Sequence, residues 1–394
     1  MNRLIILLLA FVLCSPVMAG LPYDTNSDNT ISSDELGSAI LKNLETNDPV
    51  SSDLSDAAWI YWHWNGTPLT VTDTANQTII LEKPVHRLVA FDGSTLETLR
   101  SLNATDLIVG VSKNTHDERE FFPEFQQTPS IGTVWSPDME ALIETRPDTV
   151  FIYGSISRDS VQAIEEQLKT LDPSIRVLHF DLFRPEIYPD EVIKVAKILG
   201  KEGEAQAFMD FYEPVMSTIG ERIASIPLNE RKTVYFESWN AYKSAAPGSG
   251  YHEKVEFAGG KNIFADATNP YPVVDPEAIL RLKPEIVIKQ VGAGESNVGG
   301  YNDPNAKQLV PVYESLLNRT GWNTLPAIQN GNVHVIHSDI LGSASHFIGL
   351  EYLAKWFYPD KFSDIDPIRT HIEYLTRFQH LQYDPETRGG FVYP

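Results

Sequence analysis

Asp138-Met139-Glu140-Ala141-Leu142-Ile143, with Arg146-Pro147-Asp148-Thr149-Val150-Phe151-Ile152 just behind it, returns later in the chain as Asp275-Pro276-Glu277-Ala278-Ile279-Leu280 and Lys283-Pro284-Glu285-Ile286-Val287-Ile288. The offset is constant and there is no gap. In each copy an Asp can cap a short helix, a Pro ends it, and a β-branched run forms a buried strand. A strand-like run precedes each copy, Arg87-Leu88-Val89-Ala90-Phe91 in the first and Lys232-Thr233-Val234-Tyr235-Phe236 in the second. Another follows each, Arg176-Val177-Leu178-His179-Phe180 and Asn332-Val333-His334-Val335-Ile336. Alternating strands and helices favour parallel sheets, so the expected fold class is α/β, with two similar lobes.

Between the copies, Ala205, Phe208, Met209, Tyr212, Val215, Met216, Ile219 and Ile223 recur at three- and four-residue steps. This predicts one long amphipathic spine helix joining the lobes, kinked at Pro214 if anywhere. A single stiff helix predicts little hinge closure. The domain reading is a leader over 1–19, a calcium loop and helix over 20–46, a linker over 47–68, an N-terminal lobe over 69–202, the spine over 203–228, a C-terminal lobe over 229–362, and an extension over 363–394. The extension's Tyr374, Phe378, Tyr383, Phe391 and Tyr393 predict packing on the C-terminal lobe.

At 394 residues the chain can bury two cores. Its net charge of −22 excludes a nucleic-acid partner on electrostatic grounds. Arg3, the apolar run from Leu4 to Leu13 and the small-residue stop at Ala19 have the pattern of an export signal, so the protein is expected to be exported, to the periplasm or the outer face of the cytoplasmic membrane. Cleavage after Ala19 would remove Cys14, the single cysteine, and with it disulfide, thiol and thiolate-metal chemistry. A lipid anchor on Cys14 is the weaker reading, because Leu13 stands where a small residue is expected.

Next come Asp24-Thr25-Asn26-Ser27-Asp28-Asn29-Thr30-Ile31-Ser32-Ser33-Asp34-Glu35, with EF-hand spacing. Asp24, Asn26, Asp28 and Glu35 offer side-chain oxygens and Thr30 its carbonyl, a set suited to Ca²⁺. Asn29 stands where glycine is usual, and Asn tolerates a left-handed turn. Behind the loop, Leu36, Ile40 and Leu44 share one helical face. The alternative is an Asx-rich turn that merely caps the helix. The loop resembles half of a dockerin-type calcium repeat. From Thr46 to Asp56 the chain reads as a polar linker, after which Trp59, Trp62 and Trp64 are expected to pack on the main body.

The entry strand at Arg87, Leu99 to Val111 with Asp106-Leu107-Ile108-Val109-Gly110-Val111, the Glu140 and Glu277 helices, the Arg146-Pro147-Asp148 turn and Phe257-Ala258-Gly259-Gly260-Lys261-Asn262-Ile263 together resemble the periplasmic-binding-protein family of iron-siderophore, haem and cobalamin ABC importers. The resemblance spans about residues 69 to 360. It implies two lobes on one spine helix, a ligand between them, no catalysis, and a monomer that delivers an iron chelate, haem or a corrinoid to a permease dimer. It further implies that Glu140 and Glu277 dock onto that permease.

Clefts of this kind are lined by loops at strand ends. The candidate ligand contacts are Trp135, Tyr153, Trp239, Tyr242, Tyr251, His252 and His346, beside Asp92 to Thr95 and Tyr271. Aromatic rings there would stack on a macrocycle or aromatic chelate arms. His334 and His337, three apart on a strand, face opposite sides and cannot share a metal. A hydrolase reading lacks a full nucleophile elbow around Gly248-Ser249-Gly250, and a zinc-hydrolase reading lacks its histidine cluster. Two rivals stay open: direct binding of a metal ion, and a cell-surface module anchored through the calcium loop.

Overall fold

The computed structural model describes residues 20–303 and 306–394. The leader reading, Cys14 included, lies outside the described residues. The chain divides into a smaller unit, reaching Thr70 and including Ile80–Pro84, and a larger one of Val71–Ile79 with Val85–Pro394.

In the smaller unit the twelve-residue loop leads into a helix over Ser33–Thr46, because the Ser32 hydroxyl caps Glu35 N–H while Glu35 reaches back to Ser32. Leu36 and Ala39 form its buried face. The expected face is therefore corrected: Ile40 and Leu44 are exposed. The linker reading also needs correction, since Ser52–His63 is a second helix, capped by Ser51 and burying Leu54, Ala57 and Ile60. Its polar start hid a three-to-four-residue apolar period that begins only at Leu54. Of the three tryptophans, Trp64 is buried against Trp59, with ring centroids 4.8 Å apart, whereas Trp62 is 74 % exposed and meets Tyr61 edge-on at 5.4 Å.

The larger unit holds both lobes. In the first, four parallel strands lie in the order Ile108–Val111, Leu88–Ala90, Thr149–Ile152, Arg176–His179. In the second the order is Lys261–Asn262, Thr233–Glu237, Ile286–Val291, Val333–His337, again parallel. Numbered along each lobe, both read 2-1-3-4. The order reverses between strands 1 and 3, which puts a binding crevice at the carboxyl ends of those two strands.

The repeated turn sets this register in both lobes. After the helices Met139–Glu144 and Pro276–Leu282, Arg146 and Lys283 take left-handed φ of 48° and 49° ahead of their prolines. The acid after each proline then pins the neighbouring strand's start. Asp148 Oδ2 accepts from His86 N at 2.8 Å and Arg87 N at 3.0 Å, and Glu285 Oε2 accepts from Thr233 N at 3.0 Å.

The spine helix runs Glu202–Ala224 with Pro214 inside it, and buries Phe208, Tyr212, Met216, Ile219 and Ile223. The C-terminal extension departs from expectation. Val392–Tyr393 does add an antiparallel strand to the second lobe. Yet the helix Pro367–Arg377 and the residues after it also bind the first lobe: Gln379 Nε2 donates to Glu97 O at 3.0 Å and Ser101 Oγ at 2.8 Å, and its Oε1 accepts from Arg100 Nη1 at 3.0 Å. The helix Gly93–Ser101 is consequently buried from Ser94 through Ser101, polar residues included, which an amphipathic pattern could not foretell.

Candidate functional site

Strand 1 of the first lobe ends at Ala90, and Asp92 caps the helix that follows, accepting from Thr95 N at 2.9 Å and Thr95 Oγ1 at 2.8 Å. Strand 3 ends at Ile152 and delivers Tyr153. From the second lobe come Tyr301 and the stretch from Ser338 to Ser343. Together they enclose a cavity of about 190 Å³, lined also by Glu97, Glu118, Phe121 and Trp135. Trp135 occupies the tip of the hairpin pairing Gly132–Thr133 with Ser136–Pro137, and is 63 % exposed at the rim. Gly132 is required there: at φ 76°, a Cβ would meet Ser136 O at 2.4 Å.

Four of the lining residues, Asp92, Glu97, Glu118 and Asp339, carry carboxyls, and none is Lys, Arg or His. Burial, opposed by the Thr95 hydrogen bonds, pushes Asp92 up to about 7. Burial and the charge of Asp339 push Glu97 up to about 8. Glu118 is likewise raised, by burial first and then by Asp339, Glu97 and Asp117, and its carboxyl accepts no hydrogen bond from the described residues. Asp339 alone is held low: although burial opposes it, His337 at 3.2 Å and Tyr301 N–H favour its charged form. The cavity thus presents one carboxylate held charged, Asp339, and three carboxyls that burial favours in the protonated form, with protons available to release.

A side chamber of about 110 Å³ shares Ser94, Tyr153 and Gly342 with this cavity and continues to Phe183, Ser249, Tyr251, Lys254 and Tyr271. Tyr251 stacks on Phe236 at 5.2 Å and accepts from Gln290 Nε2 at 2.9 Å.

Of the sequence-derived contacts, the structure brings Trp135, Tyr153 and Tyr251 to the cavity or its side chamber and leaves four elsewhere. Trp239 stands behind Tyr271, ring centroids 5.1 Å apart, under Lys243. Tyr242 joins the second lobe's core, with the Arg319 guanidinium over its ring at 4.4 Å. His252 pairs with Asn262 Nδ2 at 3.0 Å outside the cavity. His346 is buried in the hinge, bonded to Tyr212 Oη at 2.9 Å, and burial depresses its pKa far below the usual imidazole value. Residues missed were Glu97, Glu118, Lys254, Phe183, Tyr301 and Asp339. Only Lys254 had a signal, lying one turn beyond Tyr251 on the helix Tyr251–Phe257.

Among the described residues no group of three or more His, Cys, Asp or Glu side chains is placed to hold a metal ion. In the N-terminal loop, Asp24 accepts from Asp28 N and Asn29 N, and Glu35 Oε1 from Thr25 N at 2.7 Å. Those bonds to Ser32 and Thr25 hold Glu35 at about 2. Asn29 has φ 63°, the left-handed turn a glycine would make.

Two matched α/β lobes on one spine helix, with a cleft at the switch points, define a two-lobed solute-binding protein. The chain belongs to the periplasmic binding protein family, whose model matches residues 88–340. It is 24 % identical over 302 residues to an uncharacterized ABC transporter substrate-binding lipoprotein of Bacillus subtilis, covering 75 % of this chain and 88 % of that protein. It is 25 % identical to a cobalamin-binding protein of Halobacterium salinarum, covering 69 % of each. Among solved structures, a TroA-like periplasmic binding protein from Veillonella parvula superposes with a TM-score of 0.69 at 23 % identity, over 83 % of this chain and 99 % of that one. A molybdate-bound protein from Haemophilus influenzae gives 0.63 at 19 %, over 80 % and 99 %. The chain is therefore the substrate-binding component of an ABC transporter, not an enzyme. No helix among its described residues is long and apolar enough to cross a membrane.

Proposed function

We propose that the protein captures a corrinoid outside the cytoplasmic membrane and hands it to its permease. The observation that carries this reading is the cavity lining: four carboxyls, aromatic Trp135, Tyr153, Phe121 and Tyr301, and no cation. An anionic ferric chelate or an oxyanion wants Arg or Lys donors, and the lining of this cavity offers none, only carboxyls of which Asp339 is held in its charged form. A corrin ring bears amide arms, whose N–H groups suit buried carboxyls, and a flat face that suits an exposed tryptophan. With only about 190 Å³ enclosed, the macrocycle sits at the mouth and its arms reach inward. Likeness to a cobalamin-binding relative supports the same choice. The direct metal-ion alternative would require a donor group that the described residues do not assemble.

The test is a thermal-shift and calorimetry screen with cyanocobalamin, haem, a ferric tris-catecholate and molybdate, since only a ligand favouring the native state raises the melting point. Cyanocobalamin should stabilise, and Trp135→Ala should weaken it roughly tenfold, the scale of one lost aromatic contact. Stabilisation by the catecholate or molybdate alone would replace the corrinoid reading.

A further inference from the structure

Lys254 is 1 % exposed, yet it lines the side chamber of the cleft. Among the described residues its ammonium has no hydrogen bond and no salt bridge. Its neighbours are rings, Phe183 at 5.5 Å and Tyr251 at 5.3 Å from Nζ. The charged groups felt around it are Glu186, Glu253 and Arg184, none of them paired with it. Arg184 is instead spent on Glu186, and the Glu253 carboxylate accepts from Gly248 N and Gly250 N. Burying an unpaired ammonium is costly, and a structural lysine that close to the surface would ordinarily reach water or a carboxylate. An apolar residue would fill the same space without that penalty. Burial pushes this amine down to about 7 and only ring faces meet it, so it is left without an oxygen partner and points to one that arrives from outside, in the chamber that shares Ser94, Tyr153 and Gly342 with the main cavity.

We propose that Lys254 is a specificity-determining residue that receives an anionic oxygen group of the cargo, a phosphodiester or a carboxylate. The inference rests on the reading of the cleft as the cargo site and adds the cargo's charge pattern: amide or cationic parts face Asp92 and Glu118, and one acidic arm enters the aromatic chamber. Ser249 and Tyr271 line the same chamber, and the Tyr271 hydroxyl already donates to Ser249 O at 2.7 Å, while Lys254 is the one basic side chain in the lining and so its charge-bearing donor for the arm. A charge-assisted hydrogen bond formed there would offset the cost of burying the lysine, so that binding is favoured at the expense of stability.

The experiment compares wild type, Lys254→Met and Lys254→Arg with paired probes. Cyanocobalamin carries a nucleotide phosphodiester, and dicyanocobinamide is a corrinoid without it; ferric citrate supplies the carboxylate arm, and inorganic phosphate and acetate are small anions that fit the chamber. Lys254→Met should melt higher than wild type without ligand. It should lose about tenfold or more in affinity for the acid-bearing probe and nothing for dicyanocobinamide. Selective loss with cyanocobalamin assigns a phosphodiester, and selective loss with ferric citrate a carboxylate. If cyanocobalamin binds wild type and Lys254→Met equally and ferric citrate shows no loss either, the cargo reading stands and the lysine assignment falls. If no metal complex binds but phosphate or acetate raises the melting point only when Lys254 is present, the cargo reading falls and the anion site stands. Absence of any Lys254-dependent effect with every probe overturns the proposal.

Discussion

Asp92 concentrates the chemistry of the cleft in one residue, because it caps a helix and lines the cavity at once. Its native carboxyl is raised from 3.8 to about 7, chiefly by burial. A raised acid contributes stability that is fully present below its unfolded pKa and is lost as pH climbs through the native value. Buried His371, held at about 3, and Lys254, held at about 7, act in the opposite sense, so the melting curve of wild type alone is ambiguous. The difference between wild type and Asp92→Asn isolates the residue. We expect the wild-type advantage to shrink between about pH 4 and pH 7, by on the order of a few kcal/mol. Urea midpoints at four pH values measure this, and a flat difference would show Asp92 to be ionised in the native cleft. Asp92 was visible in the sequence because it follows a strand. Glu118 and Glu97 were not, since their burial comes from segments remote in sequence and no local pattern marks them.

At the scale of elements, the repeated helix–turn–strand unit was legible because it states its own rules: a capping Asp, a helix-ending Pro and a β-branched run, each written twice. What the pattern did not reveal is that the acid after the proline is a staple between strands. Asp148→Ala removes acceptors for two backbone N–H groups and the partner of Arg176, 2.9 Å away. Chemical denaturation should show a loss of about 2 kcal/mol, and Asp148→Asn, which keeps one acceptor, a smaller one. The helix Ser52–His63 was illegible for the opposite reason, its first turn being polar and its apolar period short. The N-terminal loop is a second element with a distinct expectation. All its donors are oxygens, and Glu35 must release Thr25 and Ser32 to reach a cation, so we propose calcium binding of the weak, millimolar kind found in extracellular modules. Calorimetry should find one site in wild type and none in Glu35→Ala, and no calcium heat at millimolar concentration would leave the loop as a helix cap.

Across the whole molecule, the lobes are held together by more than the spine. Tyr374 Oη donates to Glu97 at 3.2 Å and Arg388 meets Glu120 at 3.0 Å from the extension, and Tyr301 of the second lobe stacks on Phe121 at 4.1 Å, so these contacts tie together the two lobes that line the cavity. Removing the Gln379 side chain should raise amide exchange in the helix Gly93–Ser101 while leaving the sheet strands protected. Ties of this kind predict little change of shape on loading, so that the permease would read the two rims largely as they stand. Each rim carries an exposed carboxylate at the matching place in the repeat, Glu140 and Glu277, beside an exposed apolar residue, Trp135 at 63 % and Val273 at 80 %. We propose that the two carboxylates dock into basic pockets on a two-subunit permease. A Glu in a first helical turn also favours the helix dipole, and that contribution alone would make each residue a matter of stability, worth well under about 1 kcal/mol at an exposed site. The two roles separate in one comparison. Glu140→Ala with Glu277→Ala should keep the melting temperature and the affinity for cyanocobalamin nearly unchanged, yet abolish stimulation of the cognate transporter's ATPase in liposomes, and each single variant should fall between. Full stimulation by the double variant, with its melting temperature lowered, would assign both residues to their helices and leave the docking surface to be sought elsewhere on the rims.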